Sequence, residues 1–184
     1  NRQNHLTMSA LRILYLILPF PLSLTLHDAE EIIFQRRWML RHKDSLNLRF
    51  PRLRPLTEHL SGLGTLAFSI AALEELLIIA TGVCYVLVQG QWCLQVWSAL
   101  FLAFSVHLLV HIAQAAVIRG YVPGLVTSLL LLPYAFFGIR SISFVMSPWE
   151  ILLLGGAGVI AMAANLAFAH WLGRKFQSWM KPAE

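Results

Sequence analysis

Five apolar stretches dominate this chain: Ala10–Phe34, Gly64–Gln89, Trp92–Ile118, Val122–Phe137 and Trp149–Leu172. Each approaches the roughly 20 residues that a helix needs to cross a hydrocarbon core. In lipid, every backbone N–H and C=O must find a partner within the chain, and helices achieve this segment by segment. The expected fold is therefore all-α: a polytopic membrane helix bundle of about five transmembrane helices, forming a single membrane domain over residues 1–184. Composition closes the main alternative. Only 12% of the residues are charged and 58% are hydrophobic, whereas soluble domains carry about 25% charge. A water-soluble surface cannot be built from this inventory.

The formal net charge of +5 does not indicate nucleic acid, because of where the charges lie. Seven of the 14 Lys and Arg fall between Arg36 and Arg54, and Arg174, Lys175 and Lys181 follow the last span. Basic flanks of apolar spans set orientation and meet anionic headgroups. The N-terminus is expected outside and the C-terminus in the cytoplasm, with Arg119 inside and only Arg2, Arg12 and Arg140 outside. Residues 35–63 are expected to form a basic cytoplasmic segment lying on membrane lipid, and a bacterial plasma membrane is the expected location. The first apolar run leads into His-Asp-Ala-Glu-Glu without a small-residue cleavage site, so it reads as a retained helix. Pro19 and Pro21 should kink it. Trp92, Trp97, Tyr121, Tyr134, Trp149, Trp171 and Trp179 fall near span ends, as an aromatic belt would. Cys84 and Cys93 bracket the turn Val88–Trp92; they read as buried thiols, with a disulfide as the alternative if that turn faces an oxidising compartment.

The acids and imidazoles inside the spans carry the chemistry. A charged side chain at the bilayer centre costs at least roughly 2.5–3.5 kcal/mol, so Glu30, Glu31, Glu74 and Glu75 need a proton, an arginine or a metal. His27 lies three and four residues before Glu30 and Glu31, which places both carboxylates beside it on one helix face. Asp28 points elsewhere and is expected in solvent, as is Glu150. His107 and His111 stand four apart, a common chelating spacing. Depth agrees: at ~1.5 Å per residue, Glu74 lies about 15 Å from the basic end of its span, and His107 and His111 about 18 and 12 Å from Arg119. The candidate metal ligands are thus His27, Glu30, Glu31, Glu74, Glu75, His107 and His111. Glu and His projecting inward from neighbouring helices suggest a carboxylate-bridged two-metal site, and hard oxygen with borderline nitrogen suits Fe, Mn or Zn. Glu31, Glu75 and Tyr121 are candidate catalytic groups. Arg119, Asn165 and His170 are candidate substrate contacts. The Gly155–Gly158 stretch reads as close helix packing.

Several of these residues also stand in a familiar order. His27-Asp28-Ala29-Glu30-Glu31 resembles the signature of the HXXEE membrane proteins. Glu74-Glu75, His107 and Tyr121-Val122-Pro123-Gly124 are similar to that family's second polar helix and YxPG turn. The similarity runs from the first span through the fourth and implies a site, suspected to be enzymatic, more than a particular reaction. The reading is a metal-dependent membrane enzyme with one or two divalent ions, Fe or Zn, acting on a lipophilic small molecule, with di-metal oxidation ahead of hydrolysis. Two alternatives stay open: a carrier of metal ions or protons, and a non-catalytic subunit in which polar residues glue helices together.

Overall fold

The computed structural model describes residues 13–89 and 92–180. Arg2, Ala10–Arg12 and Lys181, which entered the topology reading, and Gly90 of the Val88–Trp92 turn lie outside the described residues. A short wide-turn segment, Ile13–Ile17, precedes α1 (Pro19–Arg49). A tight turn at Pro51–Leu53 leads to α2 (Arg54–Gly62), followed by α3 (Thr65–Leu87), α4 (Cys93–Ile118), α5 (Leu125–Ser143) and α6 (Pro148–Trp179). Among the described residues there is no strand.

Among the described residues, four helices, α3 to α6, are long and apolar enough to cross a membrane. The fifth expected span is different in kind. Its apolar residues form the first half of α1, where Asp28, Glu30 and Glu31 interrupt them, and the helix then continues into the basic segment. Pro19 and Pro21 do not fall in its interior; they follow directly on the wide-turn segment Ile13–Ile17, where the apolar run changes its winding. They occupy its first turn, where the missing N–H groups would have had no helical partner anyway. The basic stretch is therefore two objects, the second half of α1 and the short helix α2.

The core is organised by two stripes. On α1, Phe20, Leu24, His27 and Glu31 recur at intervals of three and four; on α4, Trp97, Phe101, Phe104, Leu108 and His111 do the same. Such spacing puts each set on one helix face. Phe20 meets Phe101 edge-on at 5.3 Å and Trp97 at 6.3 Å between ring centroids. Trp97 is 1% exposed, so it belongs to this core and not to an aromatic belt; its neighbours in the stripe, not its place near a span end, decide its burial. Tyr134 likewise turns inward and donates to the Leu16 carbonyl at 2.5 Å. Trp92, Trp149, Trp171 and Trp179 are exposed.

Helix α6 covers α3 and α4 with few large side chains. A Cβ at Gly158 would collide with the Ala99 carbonyl, and one at Gly173 with the Ala67 carbonyl, so both glycines are required by close backbone approach. Ser147 and Glu150 form a capping box at the start of α6, with Glu150 exposed as expected. Cys84 and Cys93 are both free; Cys84 is exposed on α3, which overturns the buried-thiol reading because that face of the helix turns away from the bundle.

Candidate metal centre

Along both stripes the apolar half gives way to polar groups at the same level. His27 is completely buried and His111 nearly so. The centroids of the His27, His107 and His111 rings lie 4.6–5.0 Å apart. His27, Glu31, His107 and His111 each offer one ligand atom, and these four atoms all lie within 4.8 Å of one another. His111 Nε2 is the closest to its neighbours, 3.1 Å from His107 Nε2 and 3.2 Å from Glu31 Oε1. Ligands held tetrahedrally at 2.0–2.1 Å from a metal stand about 3.3 Å apart. Three imidazole nitrogens and one carboxylate oxygen so arranged suit an ion of the Zn or Fe kind.

The orientation of His27 is fixed from outside the cluster. Its Nδ1 lies 3.0 Å from Thr127 Oγ1. That hydroxyl has one proton, and the Glu30 Oε2 carboxylate oxygen, 2.6 Å away, takes it. Thr127 therefore accepts from His27 Nδ1–H, which leaves the lone pair on Nε2. This Nε2 is buried and has no hydrogen-bond partner. A buried acceptor without a partner is costly, and a ligand histidine held through its other nitrogen by an outer partner is the usual arrangement at metal sites.

Glu30 also receives Thr127 N–H at 2.7 Å, Val126 N–H at 3.2 Å and the Tyr121 hydroxyl at 2.8 Å. The first turn of a helix presents unpaired N–H groups and positive partial charge. Helix α5 lacks a side-chain cap of its own at Gly124, and the Glu30 carboxylate supplies one from α1. Gly124 has φ +84°, and a Cβ there would sit 2.8 Å from the His111 ring and 3.0 Å from His27 Cε1. Only glycine lets the Tyr121–Gly124 turn seat against both imidazoles. Trp38 Nε1 fastens the same turn by donating to the Tyr121 carbonyl at 2.8 Å.

Three of the seven expected ligands lie outside the group of four. Glu30 faces α5. Glu74 accepts from Asn165 Nδ2 at 3.0 Å, joining α3 to α6. Glu75 lines, with His107, a cavity of about 460 Å³ whose walls are otherwise almost wholly apolar; Leu24, Phe104 and Met162 contribute, and Asn165 is its other polar group. Asp28 is buried, not solvated, because α3 packs against that face of α1 and brings Glu75 near it. Tyr121 is turned to Glu30; burial and then this carboxylate push its phenol up, so the hydroxyl stays protonated and donates. Arg119 is the left-handed C-cap of α4. His170 pairs with His59 at 3.3 Å, and His59 Nδ1 accepts from Arg174 at 3.1 Å. Sequence reasoning missed Thr127 and Trp38. For Thr127 a clue existed: it falls in the first turn after Pro-Gly, where free N–H groups await an acid.

Fold and site together define an all-α membrane protein with a three-histidine, one-glutamate cluster, His27 and His111 of which are buried. The chain belongs to the family described as "protein of unknown function with HXXEE motif", whose model matches residues 18–138. The matched region runs from the start of α1 through most of α5 and contains the whole cluster; His27, Glu30 and Glu31 are the motif's named residues. No curated protein and no solved structure matches the chain.

Proposed function

We propose that this chain is a metal-dependent membrane enzyme acting on a lipophilic substrate, with one divalent ion, Zn or Fe, held by His27, Glu31, His107 and His111. The observation that carries this is the unpartnered, buried His27 Nε2, presented by the Thr127–Glu30 chain at three other ligand atoms. When bound, the ion would supply Lewis acidity toward water or oxygen. A single ion is favoured over a bridged pair because Glu30 and Glu74, which a pair would need, are committed to Thr127 and Asn165.

The chain's own residues supply the rest. The apolar cavity beside His107 receives the hydrophobic part of the substrate, and Glu75 on its wall is placed to take or return a proton. Glu31 serves as ligand. Tyr121 acts through Glu30 as a positioning residue. Elemental analysis of the purified protein tests the reading. Iron or zinc near one per chain, lost in His27→Ala and His111→Ala, is expected. Iron with a visible chromophore favours oxidation and zinc favours hydrolysis, while absence of any metal overturns the proposal.

A further inference from the structure

A second cavity, of about 530 Å³, opens at the basic end of the bundle, between the second half of α1 and the turn from α4 to α5. It differs from the apolar cavity in every respect of charge. Arg37, Arg41, Ser45 and Arg49 follow one another at intervals of four, so one face of α1 presents three guanidinium groups to it. Arg119 closes it from the end of α4, and no Asp or Glu lines it. Phe34, Trp38 and Tyr121 give it an aromatic side, fixed by the bond from Trp38 to the Tyr121 carbonyl.

Arg49 is engaged: it donates to the Ile118 carbonyl at 3.0 Å and the Val117 carbonyl at 2.9 Å, tying the end of α4 to α1. Arg37, Arg41 and Arg119 have no carboxylate partner among the described residues, whose two ion pairs lie elsewhere. Like charges four apart on a helix repel, and Arg119 adds to them from across the opening. An anion would relieve this field. The guanidinium fork matches the oxygens of a phosphate two at a time, and basic pockets beside membrane helices are where phosphorylated headgroups are held.

We propose that this pocket binds a phosphate monoester, carried by a membrane amphiphile or by a soluble compound. It shares Tyr121 with the surroundings of the metal centre, but its arginines hold none of the four candidate ligands and the proposal does not depend on that centre. The test uses the full chain in phosphatidylcholine nanodiscs, titrated in one arm with phosphatidic acid and in the other with glycerol phosphate. Saturable binding at one site per chain is expected, weakened at least about tenfold in Arg37→Gln/Arg41→Gln and in Arg119→Gln. The pair Arg36→Gln/Arg52→Gln removes the same charge from outside the pocket and is expected to leave binding within about twofold. Saturation with phosphatidic acid alone identifies a lipid headgroup; saturation with glycerol phosphate identifies a soluble ester. Equal losses in the two double variants, or no saturable binding in either arm, overturn the proposal. Metal content is expected to be unchanged in all three variants.

Discussion

Two groups of histidines are built into this bundle, and their hydrogen bonds differ in kind. At the end of α6, Arg174 can only donate, so His59 Nδ1 accepts and His59 Nε2–H donates to His170 Nδ1. Each donor in that run meets an acceptor, and the result fastens α2 to α6. Between α1 and α4 the order is reversed: the outer nitrogen of His27 is satisfied by Thr127, while its inner one has no hydrogen-bond partner and faces two further imidazoles and a carboxylate. Imidazoles linked donor to acceptor are glue. Imidazoles whose acceptors converge ask for a cation.

The contrast breaks most sharply under ligand removal. His111→Ala or His27→Ala is expected to abolish stoichiometric metal, a loss larger than the roughly 10–100-fold that removing an outer partner costs. His59→Ala and His170→Ala should leave metal content as it is, and elemental analysis of all four compares the groups directly. Next in size is Thr127→Val, which removes the hydroxyl that fixes the His27 tautomer. Metal affinity measured by competition with a chelator should fall about 10–100-fold while the helical fold persists. Gly124→Ala follows, since it strains a left-handed backbone and presses a methyl on the His111 ring. Thermal unfolding in detergent should report a loss of about 1–3 kcal/mol.

The smallest effect belongs to the His59–His170 pair and has a definite sign. Burial, then the Arg174 charge, holds the His59 imidazole below its ordinary 6.5 in the folded protein. Folding therefore excludes a proton that the unfolded chain binds. The stability from this pairing is complete above the unfolded value and declines as the pH falls through 6.5. Unfolding temperatures recorded across that range should show a slope that His59→Gln reduces; an unchanged slope would remove His59 from the account.

Much of this was legible in the chain before any coordinates. The apolar stretches mark the bundle, and the spacings of three and four on α1 and α4 place His27 with Glu31 and His107 with His111. The division of labour between Glu30 and Glu31 was not. The two residues are chemically identical and differ only by about 100° of rotation on α1; which of them faces α4 and which faces α5 depends on how the helices pack. The same limit applies to Glu74 and Glu75. Asp28 looked solvated because nothing local shows that α3 covers it. The prolines of α1 were read as interior because the apolar run begins before them, whereas the helix begins with them.

Helix α1 runs unbroken for 31 residues, about 46 Å, well beyond the thickness of a hydrocarbon core of about 30 Å. His27 and Glu31 stand on its first half, and the arginines of the basic cavity on its second, with no joint between them. The helix is one rod. A tilt imposed at the arginine end is not absorbed on the way; the rod carries it to His27.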